Sequence, residues 1–388
     1  MADSPYRSAS AAEATQDEPV VTPQPVRVPG QGAVSNLGSR YLARQQELDP
    51  AEVARQQADG TSAVSLRAER TVNLLTRNRS PDIPFDRSIN PYKGCEHGCI
   101  YCFARPTHAY LDLSPGADFE RIIYYKTDVR AHLRTLFARP GYRCAPIALG
   151  TNTDPYQPSE RRLRITRQIL ETLLEHRHPL SIVTKGTALL DDLSLLRELA
   201  ELKLVKVMVS VTTLSNELKA RLEPRTAGPA RRLAMIEALR GAGIPVGAMV
   251  APVIPFLNDA ELEAIVDACV ARGASELNYI LLRLPLEVAP LFEEWLAAHY
   301  PLKAERIMAA VRQMRGGKRY DARWGTRMRG EGPFAELLAA RFAAALRRHH
   351  LGGTSLPALR TDLFMPYSDR AAPAVLARDS AQGDLFAD

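Results

Sequence analysis

Three cysteines stand within eight positions of this sequence, in the stretch GCEHGCIYCFARP at 94 to 106, and their type and spacing suit them to chemistry. Cys95, Cys99 and Cys102 are three of only five cysteines in 388 residues. Thiolates are soft ligands, so such a group points to a metal. A structural zinc closes with four ligands that normally come as two spaced pairs, and here one C-x3-C-x2-C group has no second pair. His97 or His108 would have to fill the fourth position of a zinc site. A 4Fe-4S cubane fits better, because its thiolates also come closely spaced on one loop. With three local cysteines one iron lacks a protein ligand, and an open iron can bind a cofactor or substrate. That vacancy points to catalysis rather than plain electron transfer.

Cys144 and Cys269 are isolated and read as small buried hydrophobes. An odd count with no paired pattern argues against a disulfide framework, so a reducing cytoplasm is the expected compartment. The first residues, MADSPYRSASAAEATQDEP, lack the apolar stretch of a secretory signal. No run approaches the ~18 consecutive apolar residues of a membrane span. With 46% hydrophobic and 24% charged residues, the chain can bury one large core or two smaller ones, which excludes fibrous and wholly disordered classes.

The elements that would position the cysteines follow from periodicity. After the cysteine group, short β-rich runs alternate with longer stretches of helical period. PIALG, LSIVT, VKVMVSVTT, IPVGAMVAP and LNYILLRL read as strands, FERIIYYK as a strand or extended segment, and SIN as a short strand just before the cysteines. Helices are expected at 127–140, at 159–177 with Ser159 as N-cap, and near 189–202, 226–242 and 258–272. About six βα units result. That pattern suits a partial (β/α)6 barrel of the TIM-like type, with an open doubly wound sheet as the alternative. In both folds function collects at the C-terminal ends of the strands. The polar residues there are Thr151, Asn152, Thr153 and Asp154 after the second strand, Thr184 and Lys185 after the third, and Ser210, Thr212 and Thr213 at the fourth. Such side chains would bind a polar cofactor or orient substrate, or else cap the following helices.

The flanks differ in composition. Positions 1–60, rich in Ala, Ser, Pro, Gln and Gly, read as a disordered lead-in with one short helix at 49–57. Residues 61–87 read as an extension packing on the barrel, 88–300 as the barrel core, 301–351 as a basic helical extension, and 352–388 as a flexible tail. Net charge is +6, and from Lys303 to His350 twelve Lys/Arg oppose four Asp/Glu. The basic excess therefore sits in that extension. Within it, RQMRGGKRYDARWGTRMRGEGPF interleaves cations with aromatics, the composition of a nucleic-acid surface: Lys318, Arg319 and Arg323 for phosphates, Tyr320 and Trp324 for stacking. The plainer alternative is a solvated Arg-rich connector.

C-x3-C-x-aromatic-C, formed by Cys95, Cys99, Tyr101 and Cys102, resembles the signature of radical S-adenosylmethionine (SAM) enzymes. The resemblance implies a partial barrel, a 4Fe-4S cluster held by the three cysteines, and SAM chelated to the fourth iron with Tyr101 beside it. It also implies reductive cleavage of SAM to a 5′-deoxyadenosyl radical that abstracts hydrogen, with an external reductant. SINPYKGCEHGCIYCFARPTHAYL, GTNTDPYQPSERRLRITR, SIVTKG, VSVTTL, LEPRTAGPARRL and APVIPFLND are similar to the spore photoproduct lyase-related, DNA repair photolyase-like branch, over about Ser88 to Arg329. By that resemblance Lys185, Ser210 and Thr153 hold SAM, and DNA repair or nucleic-acid modification is the implied role. Two positions depart from the branch: Thr151 stands where the lyase has a hydrogen-donating cysteine, and Phe103 where it has a relay tyrosine. Repair by the lyase's route is therefore not expected. A protein, tRNA or small-molecule substrate, and a non-catalytic zinc or iron-sulfur protein that binds nucleic acid, remain as alternatives. In the tail, Gln382, Asp384, Leu385 and Phe386 of QGDLF resemble the peptide by which bacterial repair and replication proteins dock into the DNA sliding clamp. TDLF at 361–364 lacks the Gln and is expected to pack back on the body.

Overall fold

The computed structural model of the chain describes residues 30–41 and 64–367. The six β-rich runs form six parallel strands: β1 (Arg87–Ile89), β2 (Ile147–Leu149), β3 (Leu180–Thr184), β4 (Val205–Ser210), β5 (Val246–Val253) and β6 (Leu277–Leu281). They lie side by side in chain order, with a short antiparallel strand, Leu75–Arg77, beyond β1. A doubly wound sheet reverses its strand order part-way across; this one never does. Right-handed crossovers that all step the same way put their helices on one face, so the sheet curls as an open partial barrel. Register runs from Ser88 opposite Ala148 to Leu277 opposite Ala248, and it shifts once in the β5–β6 pair, between Tyr279 and Leu281.

The outer helices are α1 (Val129–Phe137), α2 (Ile165–Glu175), α3 (Leu193–Glu201), α4 (Pro229–Gly241) and α5 (Leu262–Ala271), each with an apolar face directed at the strands. Ile147, Leu149, Ile182, Val207, Val209, Ile169 and Leu173 are wholly buried between the two layers. Each such side chain contributes about 1.5–3 kcal/mol of burial. Beyond β6 come α6 (Val288–His299), α7 (Ala304–Gln313) and α8 (Pro333–Arg348). α8 packs on α5, where Arg341 pairs with Glu263 at 2.6 Å, and Phe342 packs tilted against Tyr279 of β6, ring centroids 4.7 Å apart. No helix among the described residues is long and apolar enough to cross a membrane.

Four local expectations change. Ile122–Lys126 is a strand, but it belongs to a separate three-stranded sheet with Ser65–Glu69 and Tyr92–Lys93, beside the cysteine loop. The helix expected over 159–177 is broken at Arg164, which takes a left-handed conformation (φ 51°), and Ser159 does not cap it. Ser159 is itself helical, and its N–H donates to Glu96 Oε1 at 2.7 Å, so a carboxylate from the cysteine loop does the capping. Residues 30–41, within the lead-in expected to be disordered, are folded against the cysteine loop: Gly32, Ala33 and Ser39 are buried there. Residues 352–367, read as the start of a flexible tail, pack on the body, and they do so as expected for TDLF, because Phe364 inserts among Phe137, Tyr142 and His178. The expected helix at 49–57 and the QGDLF tail lie outside the described residues.

Candidate active site

The cysteine loop hangs between the small sheet and the C-terminal ends of the barrel strands. Its backbone is fixed by the Cys95 N–H donating to Phe119 O (2.9 Å) and the Ile100 N–H to Leu222 O (3.1 Å). Gly98 sits at φ 67°, and a Cβ there would meet Glu120 Oε2 at 2.7 Å, so only glycine suits that turn. Cys95 and Cys99 are buried, Cys102 is partly exposed, and all three are free thiols. Burial pushes the Cys99 thiol up to about 12, with Glu223 nearby adding to it, and burial likewise raises Cys95 and Cys102. A bound metal would supply the charge that lets such buried thiols act as thiolate ligands.

Among the described residues no three His, Cys, Asp or Glu side chains converge on a position for a single metal ion. His97 Nδ1 instead lies 3.3 Å from Asp154, and His108 Nε2 3.0 Å from the Ile122 carbonyl. A tetrahedral zinc gathers its ligands on one centre, whereas a cubane takes one thiolate per iron. The donor set here is three free thiols on one short loop, enough for one thiolate on each of three irons of a cubane.

Three strand ends meet this loop. Asp154, after β2, accepts hydrogen bonds from Thr184 Oγ1 (2.6 Å), Lys185 N (2.8 Å) and Tyr156 N (2.9 Å), besides facing His97. Burial opposes its charge, but His97 and these donors outweigh it and hold Asp154 well below the usual carboxylate range. Asp154 therefore ties β2, β3 and the cysteine loop together; it neither caps a helix nor has a free oxygen aimed at substrate. The backbone N–H of Asn152 donates to Asn90 Oδ1 at 3.1 Å, and Thr151 Oγ1 lies 3.4 Å from the same oxygen. Thr153 is buried and gives its hydroxyl proton to Tyr92 O at 2.9 Å, leaving it only as an acceptor toward a cofactor. Lys185 faces the Tyr101 ring, its Nζ 5.9 Å from the centroid. Burial works against its charge, yet Cys99 and Glu223 hold the ammonium above its ordinary value. Ser210 closes β4, and its carbonyl accepts from Arg232 Nη1 at 3.0 Å.

The sequence reading missed Glu223. It is wholly buried, and accepts from Tyr101 OH, Arg232 Nη2 and Thr212 Oγ1, the last at 2.6 Å. Arg232 and Lys185 overcome the burial penalty and bring Glu223 down to about 2. Its only sequence signal was its place in LEPRT, where nothing marks it as buried. The Tyr101 hydroxyl is thus committed inside the protein, and its ring is what it offers the site.

The basic extension reaches the rim of the same loop. Arg283, just after β6, lies over the exposed Phe103 ring at 5.0 Å and also reaches Tyr320, its Nη2 3.3 Å from that hydroxyl. Arg283 was likewise not foreseen. Trp324 is 62% exposed, and Lys318 and Arg319 are exposed. Arg319 pairs with Glu293 at 3.0 Å, and Arg323 pairs with Asp321 (2.6 Å) and Glu331 (3.1 Å). Arg323 stays exposed, but its charge is spent bracing its own turn. Cys144 precedes β2 at the opposite end of the barrel, and Cys269 is buried on α5, so neither thiol belongs to the site.

Comparisons with known proteins agree with this geometry. The family model described as Radical SAM superfamily matches residues 89–269. An uncharacterized protein of Mycobacterium tuberculosis, Rv2578c, is 38% identical over 283 residues, 71% of this chain and 78% of that protein. An uncharacterized protein of Methanocaldococcus jannaschii, MJ0683, is 26% identical over 220 residues, 56% of this chain and 78% of that protein. Among solved structures, a cysteine-to-serine mutant of spore photoproduct lyase superposes with a TM-score of 0.54 at 16% identity, covering 81% of this chain and 87% of the lyase. Another mutant of that lyase, with bound AdoMet and dinucleoside spore photoproduct, gives a TM-score of 0.51 at 15% identity, covering 80% and 86%. At such identity the likeness is one of fold. The chain belongs to the Radical SAM superfamily, whose members use a 4Fe-4S cluster together with SAM.

Proposed function

We propose that this protein is a radical SAM enzyme whose substrate is a nucleic acid, presented to the site as an unstacked or single-stranded base. When bound, the cluster and SAM supply a carbon radical able to take a hydrogen atom from substrate. The chain's own residues do the positioning. Cys95, Cys99 and Cys102 hold the cluster. The Lys185 ammonium pairs with the methionyl carboxylate of SAM. Ser210 and the acceptor oxygen of Thr153 take ribose hydroxyls, and the Tyr101 ring walls one side.

The observation that carries the substrate reading is the Phe103–Arg283–Tyr320 contact, which seats the basic segment at the edge of the cysteine loop instead of on a distant face. Lys318 and Arg319 then lie where phosphates would pass, and the open Trp324 ring can stack on a base. A base that reacts at a buried centre must leave its stack. Thr151 bounds the chemistry further. Its O–H bond is too strong to return a hydrogen atom to a product radical, so the reaction ends without a thiol donor at that position. QGDLF at 382–386 completes the proposal as a tether to the DNA sliding clamp.

The test is anaerobic reconstitution followed by binding and turnover. The loaded protein should contain about four iron and four sulfide per chain, and release 5′-deoxyadenosine from SAM when reduced. It should bind single-stranded oligonucleotides with an affinity that falls steeply between 50 and 200 mM salt, as phosphate contacts require. Replacing Lys318 and Arg319 with Ala should flatten that salt slope. Cofactor cleavage without any oligonucleotide binding at low salt would move the substrate to another class.

A further inference from the structure

The cysteine loop is held from behind by a buried ion pair. Arg105 is wholly buried and spends its guanidinium on Cys99 O (Nε, 2.9 Å), Gly98 O (Nη2, 3.2 Å), Pro115 O (Nη1, 3.1 Å) and Gly116 O (Nη1, 2.9 Å), as well as on Glu120 (Nη2, 2.5 Å). Two of those carbonyls belong to the loop itself, so Arg105 fixes the direction of the peptides that flank Cys99. Glu120 is also wholly buried, and Arg225 reaches its other oxygen at 3.2 Å. A carboxylate removed from water needs more donors than these two cations supply at one edge. The missing donors come from far away in sequence. The backbone N–H of Gly32 donates to Glu120 Oε2 at 3.0 Å and that of Ala33 to Oε1 at 2.9 Å.

These two amides belong to the strap at 30–41, and the strap is seated closely. A Cβ on Gly32 would stand 1.7 Å from the Gly98 carbonyl oxygen, so the two backbones touch where the loop turns between Cys95 and Cys99. Ala33 is 1% exposed and shares an apolar cluster with Cys99, Ile100 and Tyr101. Farther along, Asn36 exchanges hydrogen bonds with Asp118, Ser35 donates to Glu294, Ser39 donates to Ala109 O, and Arg40 pairs with Glu287. The strap thus bridges the loop, the turn that follows it, and α6.

We propose that residues 31–40 are part of the cluster site: an N-terminal clasp that positions the cysteine loop by completing the donor set of Glu120, and that closes the loop's outer side. The clasp lies outside the span matched by the superfamily model. It acts through the backbone of the loop, as a positioning element.

Gly32→Val in the full chain tests this, because the new side chain would collide with Gly98 while leaving the barrel core untouched; Ala33→Asp is the companion variant. Three measurements suffice: tryptic cleavage after Arg40, the alkylation rate of Cys95, Cys99 and Cys102 in the metal-free chain, and the rate at which the loaded chain loses iron to a chelator. The expected result is faster cleavage, with alkylation and iron loss each about tenfold faster, as when a local closing contact is removed, and with the thermal midpoint little changed. Cleavage that speeds up while alkylation and iron loss stay at the parent rates would overturn the proposal, since the strap would then only lie on the surface. Unchanged cleavage in both variants would overturn it too, because the close seat of Gly32 on Gly98 would not exist. Alkylation of the metal-free chain needs no cofactor, so a wrong cofactor assignment cannot imitate either outcome.

Discussion

At Lys185 a single ammonium group ends β3 beside Cys99 and the Tyr101 ring, held above its ordinary pKa against the cost of burial. Such a group is poised to meet an anion. A hydrogen-bonded pair with a charged partner is worth about 1.5–3 kcal/mol, or roughly ten- to a hundredfold in affinity. Lys185→Ala should therefore weaken SAM binding to the reconstituted protein by about that factor, with iron content unchanged. Equilibrium binding of SAM within twofold of the parent would remove Lys185 from the cofactor site. Thr153 and Tyr101 illustrate the opposite case. The family resemblance put both at the cofactor, and their hydroxyl protons are given to Tyr92 O and Glu223, so Thr153 can offer only its acceptor oxygen and Tyr101 only its ring.

Among the elements, the turn from α2 into β3 carries a pH dependence. His178 is buried there, stacked on Phe137 at 5.0 Å, with Nδ1 on Pro179 O and Nε2 on the Tyr142 hydroxyl. Burial lowers it to about 4 even though the Pro179 hydrogen bond favours the charged form, and burial also takes His108 down to about 4. A histidine whose folded pKa lies below its unfolded value, about 6.5, binds its proton more readily in the unfolded chain. Its contribution to stability is present above that unfolded value and is lost as pH falls toward the folded one. The thermal midpoint should thus drop between pH 6.5 and 4.5, and His178→Gln should make that drop shallower. A parent midpoint that is flat across the window would show that burial does not keep these histidines neutral. Glu223, held down to about 2, acts lower: its stabilisation is present above the ordinary carboxylate pKa and lost as pH falls through about 2.

For the whole molecule, two similar peptides have separate fates. Phe364 of TDLF is packed among Phe137, Tyr142 and His178, and Met365 exchanges hydrogen bonds with His176, so this copy closes the bottom of the barrel. The QGDLF copy is proposed as the tether. Removing residues 382–386 should abolish retention on immobilised bacterial sliding clamp without changing the thermal midpoint. Phe364→Ala should lower the midpoint by a few degrees and leave retention intact. Retention that survives loss of QGDLF would end the tether proposal.

The sequence by itself determined the six β-rich runs and the cysteine trio, because both are local: a strand is a run of adjacent residues, and a cluster loop needs its thiols within a few positions of one another. It also gave the βα alternation, though the continuous strand order that separates a partial barrel from a doubly wound sheet is a property of pairing between distant segments. What only the tertiary structure decided are the partners brought from far along the chain. Glu223 meets Tyr101 across 122 residues and Glu120 meets Gly32 across 88. Arg283 likewise reaches Phe103 from the far side of the barrel. The strap escaped notice for a related reason. It holds on through backbone amides and small polar side chains, which leave no hydrophobic period to read, and its donors matter only because folding has placed a buried carboxylate opposite them, where Arg105 and Arg225 supply only part of its hydrogen bonds.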